Sequence, residues 1–360
     1  MAIYPDSETD IRVPADRLMD ACALVFQSSG MTAQDAELLS RSLVESDLRG
    51  VHSHGVIRVP DYVRKITKQG VDPRGAPSIK SQIGGAIVVD GGNAMGQIGG
   101  TYAMDQAIEA AKTVGIAFAA LENSNHCGAM DWYAMRACAA GMIGLCGTNA
   151  LPTMAPVGGR EKIVGINPIG LAIPGGEEGD FVLDFAFGAT AHGKIRVYHQ
   201  KGLPIPTDWA LSADGEPTTD AAKALVGLIQ PIGGHKGVAL GMSVGMLATL
   251  LTGAGYGLDS GSMEEGAKAG RDGQFFIAIN VPAFTDLNVL RARVDGIARQ
   301  VHGSARRTGV DKLYVPGEIE RLQREHNLHN AIPLPRATLN DLLSVCRAVG
   351  VEPQGLGGST

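Results

Sequence analysis

The chain has 360 residues, 44% of them hydrophobic, and a formal net charge of −6. That is enough apolar material for two or three packed units and excludes a disordered chain, while an acidic balance without a basic cluster argues against nucleic acid or an acidic membrane as partner. Five cysteines, an odd number with no C-x-x-C pair, fit reduced thiols in the cytoplasm better than a disulfide framework.

The opening MAIYPDSETD is polar and acidic and does not read as a signal peptide. Amphipathic helices are expected over Pro14–Gln27 and Ala33–Leu48, the second opened by Thr32 and Asp35 as a capping box. GVHSHGVIRV at 50–59 follows at once, and Pro60 suits the first turn of a helix over Asp61–Lys68. The texture then changes. AIVVD at Ala86–Asp90 is a buried-strand pattern, followed by the glycine run GGNAMGQIGG and a helix over Tyr102–Val114. A strand at Ile116–Leu121, the loop ENSNHCG, a helix over Ala129–Ala140 and a strand at Met142–Cys146 come next. Strand–helix–strand with short connections predicts parallel pairing through a right-handed crossover.

Further strands are expected at Gly170–Ile173, Phe181–Phe185 and Phe275–Asn280. The uncharged stretch Gly237–Leu258 is long enough to span a bilayer, but its six glycines and its isolation point to a buried helix. Gly237, Gly241 and Gly245 share one face of it, which suits close packing at a subunit or domain interface. Helices over Asp286–Gln300, Gly317–His326 and Leu339–Gly350 close the chain.

Several segments invite a chemical reading. GGNAMGQIGG follows a strand but is neither G-x-G-x-x-G nor a P-loop, so tight turns explain it better than a phosphate cradle. His52, His54, His126, His192, His199 and His235 form no H-E-x-x-H or comparable ligand set, and no metal is expected. His54 and Arg58 are more telling, because residues four apart share a helical face. A guanidinium there offers a carboxylate a fork, and an imidazole beside it can move a proton; a solvated polar loop is the competing reading. His126 lies past the C-terminal end of a strand, where α/β sheets bind ligands, and the following helix start has amides to offer an anion. Asp184 ends the strand pattern VLDF, and Lys236 follows Gly233-Gly234 at a helix start.

In order along the chain, SDLRGVHSHGVIRVPDY, SNHCGAMDWYA, GTNALPTMAPVGG, GINPIGLAIP, LDFAFGATAHGKI, GGHKGVALGM and VPGE resemble the malate/L-lactate dehydrogenase family of the second type. That family also holds ureidoglycolate, sulfolactate and diketogulonate oxidoreductases and reductases of cyclic imino acids. The resemblance implies a non-Rossmann α/β fold with a mixed-sheet cofactor region over 81–317, and a helical unit of 1–80 joined by 318–360. It implies a cytoplasmic homodimer that uses NADH or NADPH on a small carboxylate substrate, a 2-oxo acid and its 2-hydroxy acid or, alternatively, a cyclic 2-imino acid.

By the same resemblance, Ser53, His54 and Asp184 form a proton relay and Arg58 holds the substrate carboxylate. His126 lies beside nicotinamide and substrate, and the proton falls to His54 or His126. Thr153 and Met154 complete the substrate contacts. Cofactor contacts fall to His126, Gly128, Ala129, Thr148, Asn149, Asp184, Phe185, Ala186, Lys236, Pro316 and Gly317. Cys127, Met130, Asp131, Trp132, Val157 and Ile166 depart from the common pattern near those positions, so the substrate does not follow from malate or lactate by copying. A non-catalytic binding protein and a metal-dependent hydrolase are the more distant readings.

Overall fold

A computed structural model describes residues 10–200, 202–263, 265–352 and 355–356. The opening segment, up to residue 9, lies outside them. Its centre is a seven-stranded mixed sheet, in spatial order Ser78–Ile83, Ala86–Asp90, Ile116–Ser124, Asp272–Asn280, Met142–Thr148, Ile169–Ile173 and Phe181–Phe185. Only Ala86–Asp90 and Ile116–Ser124 pair in parallel, joined by helix α4 (Gly96–Val114), as the strand–helix–strand pattern predicts. The next such unit differs. Ile116–Ser124 and Met142–Thr148 run the same way, but Asp272–Asn280 lies between them, antiparallel to both. Its run QFFIAIN is apolar at consecutive positions, as a strand covered on both faces requires.

The two faces are covered differently. Phe276 packs edge-on against Tyr133 of helix α5 (Asp131–Ala139), with ring centroids 5.1 Å apart. Phe275 points the other way, toward Gly147 and Val244 of the His235–Leu250 helix. Helices α1 (Ala15–Ser28), α2 (Ala33–Leu48) and α3 (Val59–Thr67) share a separate hydrophobic cluster with Ile332, Leu334, Leu339, Leu342 and Cys346 near the other end of the chain. The strand Ile11–Val13 pairs with Ile332–Leu334 and fastens the two ends together. A third cluster, around Met154, Phe187 and Ile195, fills the segment between the outer strands and the His235–Leu250 helix. Among the described residues no helix is long and apolar enough to cross a membrane. The five cysteines are buried and unpaired.

Local chemistry explains most element ends. Thr32 caps α2 by accepting from the Asp35 amide at 3.0 Å, while its own hydroxyl donates to the Asp35 carboxylate at 2.6 Å. The reciprocal half of the expected capping box is thus replaced by a side-chain pair. Pro60 sits in the first turn of α3, where its missing N–H costs nothing. The all-exposed strand Ser78–Ile83 carries no hydrophobic run and pairs at the sheet edge, which is why the sequence pattern does not reveal it.

The glycine run is a packing device. A Cβ on Gly96 would fall 2.2 Å from the Asn125 carbonyl oxygen and 2.7 Å from that of His126. One on Gly100 would fall 2.7 Å from the Tyr133 ring, and Gly92 turns the chain with φ 61°. The first turn of α4 therefore lies directly against the loop that carries His126. Gly237, Gly241 and Gly245 are similarly turned inward, against Ile232, Phe187 and Asn167 of the same chain, so of the subunit or domain contact expected for this face the structure has packing within the chain. We predict that Gly96→Ala lowers stability by about 1–3 kcal/mol, the usual cost of overpacking. Urea unfolding measures it, and an unchanged midpoint would show that α4 can move away from the loop without loss.

Candidate active site

The segment 50–59 folds as two short 3₁₀ turns, His52–His54 and Val56–Arg58, separated by Gly55. Asp47, buried at the end of α2, organises both. Its carboxylate accepts from the Val56 amide at 2.7 Å and lies 2.8 Å from His52 Nδ1. A Cβ on Gly55 would collide with that carboxylate at 2.1 Å, so glycine is required there by space. The Ser53 hydroxyl lies 2.9 Å from His54 Nδ1.

Arg58 leads into α3 and donates from Nε to the Ser53 carbonyl at 2.7 Å. One of its terminal nitrogens lies 3.5 Å from Asp61, and among the described residues Nη2 has no partner. The guanidinium is therefore positioned on one edge and open to a carboxylate on the other.

The second half comes from the sheet. His126 follows Ile116–Ser124 in a loop pinned by the Asn125 side chain, whose Nδ2 donates to the carbonyls of Asn93 and Ala94 and whose Oδ1 accepts from the Gly270 amide. The Tyr133 hydroxyl donates to the Cys127 carbonyl at 2.5 Å. This places the His126 ring parallel to that of His54, with centroids 5.8 Å apart and planes 5° apart.

Helix α3 adds Tyr62, whose hydroxyl lies 2.7 Å from His126 Nδ1, and α4 adds Gln97, whose Nε2 donates to that hydroxyl at 3.0 Å. Both imidazoles keep an accessible edge. Burial, with the Arg58 charge adding to it, holds His54 down to about 4. The same two causes, with His54 itself as a third, hold His126 well below its ordinary value. Two neutral imidazoles beside a half-open guanidinium can bind an anion and pass or share a proton next to it.

Ser53, His54, Arg58 and His126 are thus brought together, and Asp47, Tyr62 and Gln97 join them without having been assigned a role. Their signals were present but faint: Asp47 and Tyr62 lie inside the stretch SDLRGVHSHGVIRVPDY, and Gln97 is a polar residue inside a glycine run. Asp184 is not part of this cluster. Its carboxylate accepts from the amides of Met130 and Asp131 at 2.9 and 3.2 Å, at the start of α5, and among the described residues it has no hydrogen bond to His54. Asp131 in turn meets Arg49 at 2.9 Å in a buried ion pair that ties α2 to α5.

The remaining candidates are distributed around the sheet. Gly128 turns the loop with φ 73° and Ala129 is buried behind it. Thr148 donates to the carbonyls of Asn149 and Gly273, and the Asn149 amide bonds both Gly255 and Gly273, so these two side chains hold strands together. Met154 is fully buried in the third cluster, whereas the Thr153 hydroxyl is buried with no partner among the described residues. Phe185 and Ala186 continue from Asp184 and stay partly exposed. The Pro316 carbonyl accepts from the Val182 amide at 3.1 Å, and a Cβ on Gly317 would strike Val182 at 2.7 Å, so this pair packs on the outer strand two residues from Asp184. Lys236 is exposed in the first turn of the His235–Leu250 helix. Among the described residues no three His, Cys, Asp or Glu converge to hold a metal ion.

Comparison with known proteins adds the frame for this geometry. Residues 13–343 match the malate/L-lactate dehydrogenase family. Malate dehydrogenase of Pyrococcus abyssi is 34% identical over 353 residues, which cover 96% of this chain and 97% of that protein. The Δ1-pyrroline-2-carboxylate/Δ1-piperideine-2-carboxylate reductase of Pseudomonas putida is 34% identical over 279 residues, covering 77% of this chain and 82% of the reductase. The structure of sulfolactate dehydrogenase from Methanocaldococcus jannaschii superposes with a TM-score of 0.90 at 32% identity, over 96% of this chain and 99% of the other. A match of this length in sequence, carried through to the backbone, leaves one assignment: the chain belongs to the malate/L-lactate dehydrogenase family.

Proposed function

We propose that the chain is an NAD(P)H-dependent oxidoreductase that interconverts a small 2-oxo acid and its 2-hydroxy acid. The observation that carries this reading is the stacked pair His54 and His126 beside the open edge of Arg58. A carboxylate on Arg58 would set the adjacent carbonyl carbon of a 2-oxo acid next to both imidazoles. Neutralising Arg58 would also remove one of the two causes that keep His54 unprotonated, so substrate binding itself favours the imidazolium that serves as acid.

A dinucleotide fits the residues at hand. Gly233 and Gly234, with φ of 57° and 60° and open space where a Cβ would stand, lead into the His235–Leu250 helix. The start of that helix has no side-chain cap and carries the exposed Lys236, a suitable setting for a pyrophosphate. The Thr153 hydroxyl, without a partner among the described residues, offers the substrate a further contact. When bound, the nicotinamide supplies the hydride, and the chain supplies orientation, charge and the proton.

Reduction of a cyclic 2-imino acid is the second reading, favoured by the likeness to the Pseudomonas reductase. A carboxylate beside C=N presents Arg58 with the same recognition problem. We further read the outward face of the His235–Leu250 helix and the turn after it as a homodimer contact. Leu240, Leu247, Leu250 and Leu251 are 56%, 40%, 68% and 55% exposed there, a contiguous apolar strip on the side opposite its inward glycines. Five reduced thiols agree with a cytoplasmic enzyme.

Three measurements test these readings. A screen of 2-oxo and cyclic imino acids with NADH and NADPH, followed by cofactor absorbance, should find turnover with one class; none with either class would overturn the assignment. Arg58→Ala should weaken transition-state binding by about 2–5 kcal/mol, and Arg58→Lys should recover only part because the fork is lost. An alanine variant with unchanged kcat/KM would remove Arg58 from substrate binding. Light scattering at micromolar concentration should report a dimer, which Leu247→Glu with Leu250→Glu should dissociate; a monomeric parent chain would contradict the contact.

A further inference from the structure

We infer that Tyr62, itself held by Gln97, fixes the tautomer of His126, so that this imidazole offers its free edge as a hydrogen-bond donor and cannot act there as a base. The catalytic consequence rests on the oxidoreductase reading above; the tautomer does not.

The number of available protons decides the tautomer. A phenol has one hydrogen to donate and a primary amide nitrogen only hydrogens. With Gln97 oriented so that Nε2 donates into the Tyr62 oxygen at 3.0 Å, and its Oε1 buried without a partner among the described residues, the phenolic proton is the one available for His126 Nδ1 at 2.7 Å. Burial keeps Tyr62 in its phenol form, and Gln97 is itself almost wholly buried, so water does not compete at the contact between them. His126 is held neutral by burial and by the positive charge of Arg58. A neutral imidazole that accepts at Nδ1 carries its hydrogen on Nε2. Among the described residues that Nε2 has no partner.

The glycine run now has a purpose beyond packing. Gly96 lets the first turn of α4 lie against the carbonyls of Asn125 and His126, and this contact delivers the next residue, Gln97, to Tyr62. His54 is not fixed in this way. Its Nδ1 faces the Ser53 hydroxyl, which can donate or accept, so His54 can lose and regain a proton while His126 polarises the substrate oxygen or nitrogen as a constant donor. Tyr62 and Gln97 act through His126 and are positioning residues.

The test uses the full chain with ¹⁵N-labelled histidine and no cofactor, near neutral pH, with the His126 signals identified by their loss in His126→Asn. Nδ1 should appear unprotonated and hydrogen-bonded, and Nε2 protonated. Tyr62→Phe, which keeps the ring and its volume, should shift the Nδ1 signal to that of a nitrogen without a donor. The same variant should lower kcat about 10–100-fold, the range for removing a partner that orients a histidine, with a smaller change in KM. It should add little to the loss already caused by His126→Asn, since the two act as one unit. A proton on Nδ1 in the parent chain, an Nδ1 signal unmoved by Tyr62→Phe, or losses that simply multiply would each overturn the inference. The expected spectrum in a chain that turns over neither 2-oxo nor imino acids would instead overturn the oxidoreductase reading and leave the tautomer standing.

Discussion

Two parallel imidazoles, one from the helical layer and one from the sheet, face each other at 5.8 Å, and the site depends on keeping them so. Neither ring could hold that place alone. His54 is set by a turn whose amide and side-chain contacts run to the buried Asp47, and His126 by a loop whose carbonyls receive hydrogen bonds from Tyr133 and Gln274. Their closeness also makes them electrostatically dependent: a charge on one, or on Arg58, disfavours a charge on the other. The free site is therefore a pair of neutral rings beside one fixed cation. An arriving carboxylate, by pairing with Arg58, alters that balance directly.

The same junction explains where the structure concentrates its buried polar groups. Arg49 and Asp131 form an ion pair with both side chains 6% exposed, joining the end of α2 to the start of α5. Such a pair gives little net stability, because desolvation offsets most of the attraction, but it fixes the relative placement of two elements. Tyr62 and Gln97 do similar work, joining α3 and α4 to the loop that carries His126. Lys65, which donates to the Ser262 carbonyl at 2.7 Å, ties α3 to the segment before Asp272–Asn280. These polar links across the interface between the helical cluster and the sheet add to the apolar contacts that Ala94, Met95 and Ile98 make with the helical cluster.

Much of this was legible in the sequence, for identifiable reasons. Apolar patterning located α1, α2 and the strands Ala86–Asp90 and Phe181–Phe185 nearly to the residue; the helices and Ala86–Asp90 bury a periodic apolar face, and Phe181–Phe185 buries Val182. The parallel pair around α4 followed from chain connectivity. The insertion of Asp272–Asn280 did not, since nothing local announces a strand arriving from over a hundred residues later. The site divided in the same way. Ser53, His54 and Arg58 share one short segment, and family likeness linked them to His126. Asp184 was placed in the relay by that likeness alone, and here its carboxylate holds the start of α5. Tyr62 and Gln97 matter only through contacts 64 and 35 residues apart in sequence, which a linear reading cannot weigh. The glycine helix misled in one respect: a face lacking side chains signals close approach, but not to which neighbour.

The central claim is that His54 delivers the proton while His126 orients and polarises the substrate. Single-turnover hydride transfer from reduced cofactor to a 2-oxo acid, followed across pH, tests it most directly. Reduction in the parent chain should slow as pH rises through the titration of His54 in the complex, because the imidazolium is the acid. His54→Asn should remove that titration and lower the rate by roughly 10²–10⁴-fold, the usual contribution of a general acid. His126→Asn should keep the titration and slow the reaction at every pH. Loss of the titration in His126→Asn, with its survival in His54→Asn, would contradict the account and exchange the roles of the two histidines.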